Sequence, residues 1–340
     1  MMRAFVLNHY GGPEETELRD VAKPEPGPGE VLIRVHAAAL NPVDYKIRKG
    51  ALPPIYRYSL PAVMGKDFAG TVAARGANSN RFAEGARVFG CVAQEAMGGA
   101  FAEYVTVKEQ LLAEIPSSLD YTSAAAVPLA GLTALQCLRD ELKVKPGQCI
   151  FISGGAGGVG TFAIQIAKWL GAHVATTASP SFGGVLLVRS LGADQIIDYS
   201  QERFERLLRD FDGALDLVGG DTLQRSFAVL KRGGTVVSIA GMPEPKTAIK
   251  DLGRGPDLAM IFWLASLPIR LQASSYGVRY RCVVMHPSGA DLAELAGLID
   301  AGKLKVIVDS VFSFAKIGEA LAYLEKGHAK GKVVVRIANE

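Results

Sequence analysis

Along the first third of the chain, apolar positions recur at every second residue in short runs broken by glycine and proline. Residues 3–7, 15–19, 31–35, 68–74, 86–92 and 101–107 read as strands. Gly11-Gly12-Pro13, the stretch from Lys23 to Gly29, and the stretch from Arg75 to Asn80 read as the turns between them. From Asp120 the period changes. Helical runs over 121–126 and 129–142 lead through Pro146-Gly147 to Ile150-Phe151-Ile152, which has the composition of a strand buried on both faces. Strands over 172–177, 214–218 and 234–240 follow, then a helix over 291–301 and a closing strand, helix and strand over 306–314, 317–325 and 332–336. A β-rich start followed by βαβ units predicts an α/β chain of two domains. The pattern leaves open whether the last segment rejoins the first domain.

The strongest local signal is Gly155-x-Gly157-x-x-Gly160, placed between the strand 150–152 and an apolar helical run from Thr161 to Leu170. A helix that starts at such a turn points its unpaired N–H groups and positive dipole end at an anion, the arrangement of a dinucleotide-binding turn. An NAD site has an acid about 20 residues beyond the glycines to accept from the ribose 2′-OH. Here that place reads Thr176-Thr177-Ala178-Ser179-Pro180. Hydroxyls can donate to a 2′-phosphate that a carboxylate would repel, so NADPH is favoured over NADH.

Composition narrows the class. An apolar fraction of 49% with 21% charged residues is that of a soluble α/β protein, and 340 residues are enough for two domains. The net charge of +3 is too balanced for a nucleic-acid or membrane surface. Cys91, Cys137, Cys149 and Cys282 lack CxxC spacing and read as free thiols of a reducing compartment. The N-terminal residues enter a strand at once, with no room for a signal peptide. The apolar window 258–267 is too short to span a bilayer. A soluble cytoplasmic enzyme is expected.

Motifs spread through nearly the whole chain carry a family resemblance. They are Gly29-Glu-Val-Leu-Ile-Arg-Val35, Ala39-Leu-Asn-Pro-Val-Asp44, Gly131-Leu-Thr-Ala134, Gly154 to Gly160, Leu191-Gly-Ala-Asp194 with Asp198-Tyr199, and Gly327-His-Ala-Lys-Gly-Lys332. The chain resembles the medium-chain dehydrogenase/reductase superfamily, in its zinc-independent quinone oxidoreductase branch, and is similar to the enone and alkenal reductases and the coenzyme Q reductases there. The resemblance implies a GroES-like β-rich catalytic domain from residues 1–126 and 306–340. A Rossmann doubly wound, parallel-sheet NADPH-binding domain over 127–305 is inserted between them.

Zinc relatives carry a Cys at the position of Asn41, Gly-His-Glu at Gly65-Lys66-Asp67, and a Cys near Leu129. An amide, an ammonium and a leucine do not supply the three soft or borderline ligands of catalytic zinc. The five histidines lack ligand spacing as well. No metal is expected. Another group must then stabilise the oxyanion formed on hydride transfer, and the resemblance assigns this to Asn41 and Lys46. The plain alternatives are a helix cap for Asn41, ahead of Pro42, and a solvated surface lysine. Asp44 is expected to support Lys46. Tyr45 and Tyr56 are candidates to line a substrate cleft, as is Tyr58, or are surface-loop residues.

For the cofactor, the resemblance places Thr133 beside the nicotinamide and Ala156, Gly157, Gly158 and Val159 at the pyrophosphate. Thr177, Ser179 and Tyr199 fall on the adenosine and 2′-phosphate side. Val218, Gly219, Ala240 and Gly241 are strand ends facing the ligand crevice, and His328 and Lys330 belong to a segment that closes over the cofactor. No lysine follows Ser179, where relatives commonly have one; Ser181 and Arg189 are the candidates to compensate. The apolar run 258–271 is expected to be a core helix, with a lid, a dimer contact or an acceptor wall as alternatives. The function expected is hydride transfer from NADPH to a quinone or an α,β-unsaturated carbonyl, in a homodimer like many relatives. The alternative is an NADPH-binding scaffold whose catalysis has lapsed.

Overall fold

A computed structural model of the chain describes residues 1–51, 59–93 and 98–338. It divides into two compact units, Met1–Leu132 with Pro287–Glu340, and Thr133–His286.

The first unit begins with β1 (Met2–Leu7), β2 (Thr16–Val21) and β3 (Glu30–Leu40), then α1 (Pro42–Arg48). It continues through β4 (Ala62–Val63), β5 (Asp67–Arg75), β6 (Arg87–Cys91), β7 (Tyr104–Lys108), β8 (Leu112–Glu114) and α2 (Tyr121–Ala125). The eleven-residue β3 is the spine, pairing antiparallel with both β5 and β7. Val31, Ile33 and Val35 are fully buried there, in one core with Phe68, Val88 and Phe101. Asn41 ends β3 in extended geometry, and Pro42 starts α1 with its φ already preset for a helix. Helix α3 (Pro128–Leu135) then leads out of this unit. Its run was expected to reach 142 as one helix, but over Gln136–Glu141 the winding widens to π type.

The second unit alternates strand and helix: β9 (Cys149–Ile152), α4 (Gly158–Trp169), β10 (His173–Ala178), α5 (Gly184–Ser190), β11 (Gln195–Asp198), α6 (Phe204–Leu207), β12 (Phe211–Asp216), α7 (Gly220–Ser226) and β13 (Leu230–Ser238). Helices α8 (Pro256–Ala265) and α9 (Leu267–Ser275) precede the last strand, β14 (Arg279–Cys282). The sheet order is β11-β10-β9-β12-β13-β14 with every pair parallel, a doubly wound Rossmann sheet. Phe151 of β9 is fully buried and stacks on Phe204 at 4.6 Å, which is why the central strand reads as unbroken apolar sequence.

The expected core helix over 258–271 is not one. Ser266 and Pro268 divide it into α8 and α9, and Met260, Ile261, Leu264 and Leu271 are each about 60% exposed. Only Ala259, Phe262 and Ala273 of the pair are buried. Helix α8 packs through Ala259 and Phe262 on Ala248 and Leu252, which leaves the rest of its apolar surface uncovered by its own unit.

The chain closes with α10 (Gly289–Asp300), β15 (Val308–Ser313), α11 (Ile317–Glu325) and β16 (Lys332–Arg336), all in the first unit. β16 pairs antiparallel with β3, giving a sheet of order β15-β16-β3-β5-β6-β8. Helix α10, grouped by its sequence with the Rossmann segment, packs instead on β8. Gly289 permits this, since a Cβ there would lie 2.4 Å from the Leu112 carbonyl oxygen, and Asp300 accepts from the hydroxyls of Ser117 and Ser118.

Candidate functional site

Each unit holds half of the predicted chemistry. In the second, apart from Thr133 on α3, the candidate residues lie at or just after the C-terminal ends of parallel strands, where open α/β sheets bind ligands. The turn after β9 is tightly set. Gly154 N–H donates to Thr177 Oγ1 at 2.9 Å, and Gly155 N–H to the Thr177 carbonyl at 3.1 Å. A Cβ on Gly155 would meet Thr176 Oγ1 at 2.2 Å, and one on Gly160 would meet the Gly154 carbonyl at 2.4 Å. These two glycines are therefore steric necessities. Gly157 is the N-cap of α4, and no side chain caps the helix, so the first-turn N–H groups beside Ala156, Gly157, Gly158 and Val159 are open to an anion.

Sequence reasoning passed over the residue that orders this end of the sheet. Asp216, at the end of β12 and fully buried, accepts from Ser153 Oγ at 3.0 Å, from Ser238 Oγ at 2.7 Å and from Gly219 N–H at 3.1 Å. Ser153 Oγ in turn accepts from Leu217 N–H, and Ser238 Oγ from Ala240 N–H. One carboxylate thus ties the ends of β9, β12 and β13 and shapes both Val218-Gly219 and Ala240-Gly241. Gly219 takes a positive φ of 79°, and a Cβ there would meet the Ala240 carbonyl at 2.6 Å. An aspartate followed by glycines at a strand end was the available signal.

At the outer strands, Thr177 and Ser179 are buried while Tyr199 is exposed. The Thr177 hydroxyl is engaged in fixing the glycine turn, which leaves Ser179 and Tyr199 as the hydroxyls nearer solvent. The β10–β11 register sets Asp198 opposite Ala178, one residue from Ser179. Its Oδ1 accepts from Ser200 N–H and Ser200 Oγ. Arg189 lies exposed on α5. Thr133 is buried on α3.

In the first unit, Asn41, Asp44, Lys66, Asp67 and Lys332 are all buried where β3, β5 and β16 meet. The β16–β3 register pairs Val333 with Leu40, which sets Lys332 opposite Asn41, and the β3–β5 register pairs Ala39 with Asp67. Lys332 Nζ donates to Asn41 Oδ1 at 2.5 Å and pairs with Asp67 Oδ2 at 3.2 Å. Asn41 Nδ2 donates to Asp67 Oδ2 at 2.9 Å and, more weakly, to the Ala39 carbonyl at 3.4 Å. Asp67 Oδ1 accepts from Leu129 N–H at 2.9 Å. Lys66 Nζ donates to the Ala93 carbonyl, and burial pushes its pKa down.

This arrangement separates two residues to which the resemblance assigned one role. Both N–H groups of the Asn41 carboxamide are engaged inside the network, so Asn41 is no free donor to an acceptor oxygen. Lys46, half-buried on α1, has no side-chain partner among the described residues. Asp44 does not pair with Lys46 as expected. Its Oδ2 accepts from Asn41 N–H at 2.7 Å, and the side chain borders a cavity of about 10 Å³ lined by Leu7, Ile47 and Met64. Burial pushes the Asp44 pKa up to about 7; the neighbouring Asp67 adds to this, while the Asn41 N–H, Lys332 and Lys66 oppose it. Tyr45 is half-buried, with its pKa raised by burial. Tyr56 and Tyr58 lie outside the described residues. His328 and Lys330 are on the loop before β16, where Lys330 N–H donates to Asp309 Oδ1 at 2.7 Å.

Comparison with known proteins agrees with the fold of both units. Residues 27–117 match the family described as alcohol dehydrogenase GroES-like domain, and residues 191–335 the one described as zinc-binding dehydrogenase. A 2-methylene-furan-3-one reductase of Solanum lycopersicum is 35% identical over 98% of this chain and 79% of its own length. The NADPH-dependent alkenal/one oxidoreductase of Arabidopsis thaliana chloroplasts is 36% identical over the same shares. The structure of the quinone oxidoreductase from Coxiella burnetii superposes with a TM-score of 0.86 at 31% identity, covering 99% of both chains.

Two stability measurements test this geometry. Removing the Asp216 carboxylate leaves two buried hydroxyls and a Gly219 N–H without their acceptor. Asp216→Ala is therefore expected to lower stability by about 2–4 kcal/mol in urea titration, more than Asp216→Asn does. Asp44 gives a pH signature. Its folded pKa of about 7 lies above the ordinary 3.8, so between those values the folded chain holds a proton that the unfolded chain has released. Wild-type stability should fall relative to Asp44→Asn as pH rises from about 4 to about 7 and then level off, by a total of about 2–4 kcal/mol. Parallel stability curves for the two proteins across this window would contradict the buried carboxyl.

Proposed function

The chain belongs to the medium-chain dehydrogenase/reductase superfamily, in its quinone oxidoreductase branch, and from that premise we propose a zinc-independent, NADPH-dependent reductase of quinones or α,β-unsaturated carbonyls. The observation that carries the reading is Lys46, a half-buried lysine without a side-chain partner among the described residues, on a helix whose other basic residue, Arg48, is paired with Glu325.

The second unit suits the cofactor. The uncapped start of α4 offers N–H groups to the pyrophosphate, and Gly155 and Gly160 let the turn lie close to its strand and helix. Ser179 and Tyr199 offer hydroxyls to a 2′-phosphate. Asp198, the nearest acid by strand register, is occupied by Ser200. NADPH, when bound, supplies the hydride.

The residues at the family's zinc positions do not fit the metal. Asn41 is held in hydrogen bonds by Lys332 and Asp67, Lys66 is a buried lysine bonded to a carbonyl, and Leu129 has no lone pair on its side chain. No step is assigned to zinc. Lys46 instead donates to the oxygen on which charge develops, an enolate from an enone or a hydroquinone oxygen from a quinone. Both acceptors are flat and conjugated, with the same oxygen to be stabilised. The proton that completes reduction comes from water or from a tyrosine such as Tyr45, whose raised pKa keeps its phenol protonated.

A homodimer and a cytoplasmic location belong to the same proposal. The exposed Met260, Ile261, Trp263 and Leu264 of α8 and Leu271 of α9 offer a second copy an apolar face, and α9 packs on β14, the edge strand of the sheet among the described residues. The four cysteines are free thiols. Among the described residues, no helix is long and apolar enough to cross a membrane.

Two experiments decide the reading. NADPH should bind more tightly than NADH in calorimetry and be oxidised in the presence of a quinone or enone panel. Lys46→Ala should then lose about 100-fold in kcat/KM at unchanged NADPH Kd. NADPH binding with no turnover on either panel would leave only a scaffold. In light scattering the protein should have the mass of two chains, and Ile261→Asp with Leu264→Asp should return it to one.

A further inference from the structure

Helix α1 has seven residues, too short to hold itself in water, so tertiary contacts must fix the direction in which it presents Lys46. Its C-terminal end has one such clamp: Arg48, almost fully buried, pairs with Glu325 of α11 at 2.9 Å, and Lys49 bonds the other oxygen of that carboxylate. At its N-terminal end Val43 packs against the apolar core, and polar bonds hold the residue that precedes the helix. Asn41, the N-cap residue, is held by its carboxamide between Lys332 and Asp67, and by its backbone N–H at Asp44.

We infer that Lys332 is a positioning residue for the reaction, acting on Lys46 through Asn41 and the first turn of α1; this rests on the reading of Lys46 proposed above. The side chain is 3% exposed, and its ammonium lies between Asn41 Oδ1 and Asp67 Oδ2. The amide orientation follows: oxygen towards the ammonium, nitrogen towards the carboxylate. Without the ammonium, Asn41 has lost the donor to its oxygen, and Asp67 is left as a buried carboxylate without its cation. The Asn41 carboxamide then loses its fixed orientation, and the entry of α1 is held only by the backbone bonds between Asn41 and Asp44. An ion pair that served stability alone would be replaceable by apolar side chains at little cost. One that sets a helix which presents a reacting group is not.

The test is a double-mutant cycle on the full-length protein with NADPH and an enone. Lys332→Met combined with Asp67→Asn removes both charges together and avoids a lone buried anion. It should leave the NADPH Kd within about twofold while lowering kcat about tenfold or more. Lys332→Arg, which keeps the cation, should recover most of that loss. In a Lys46→Ala background the same Lys332→Met/Asp67→Asn change should alter kcat by less than about twofold, because nothing remains to be positioned. A merely structural role predicts equal losses in both backgrounds, and that result overturns the inference, as does unimpaired kcat in the double variant. A wild-type protein inactive on every quinone and enone overturns the functional reading, and the inference with it; an active wild type with additive losses overturns the inference alone.

Discussion

The first unit is organised by a problem of desolvation. Lys332, Asp67, Asn41, Asp44 and Lys66 lie where three strands converge, and none of them has water to solvate it. Burying an isolated charge is prohibitive, so each group must find a partner of matching chemistry at hydrogen-bond distance. The strand registers supply them. Lys332 and Asn41 face one another across β16 and β3, and Asp67 enters from β5, so a slip of one residue in either pairing would bury an unpaired ion. Packing alone could tolerate such a slip at a modest loss; the charges cannot.

The same constraint explains the division of labour along residues 41–46. Asn41 and Asp44 are consumed by the corner, one by its carboxamide and the other by the helix entry. Asp44 is held as an easily protonated acid because burial, with the neighbouring Asp67 adding to it, outweighs the pull of the Asn41 N–H, Lys332 and Lys66. Lys46 lies further on, on a helix fixed at its start by the network and at its end by Glu325, and among the described residues it has no side-chain partner. The role proposed for Lys46 needs a donor held in rigid surroundings.

The second unit solves its problems with sterics and a single carboxylate. Asp216 gathers the ends of three parallel strands, and glycines sit where the chain passes too close for a Cβ. Further along, Arg281 anchors the segment before α8, pairing with Glu141, Glu244 and Asp251 in a largely buried cluster. With that anchor below, α8 and α9 need few contacts of their own, and most of their apolar surface faces outward. The segment is thus both well attached and exposed, a combination suited to contact with another molecule.

The sequence by itself determined what depends on local pattern. Apolar runs broken by glycines marked the parallel strands, the closing strand–helix–strand over 306–336 was readable from its alternation, and Gly155, Gly157 and Gly160 announced a dinucleotide turn because their spacing and their place between an apolar strand and helix are local to the chain. The place of α10 and the exposure of α8 were not readable, since an apolar helix has the same composition whether its cover is its own domain or something else. Nor was the role of Lys332, which lies 291 residues from Asn41 and looks, in sequence, like the basic end of a glycine-rich turn. Only the folding of the last strand beside the third brings that ammonium to the amide, and only there does burial turn an ordinary lysine and an ordinary asparagine into a fixed pair.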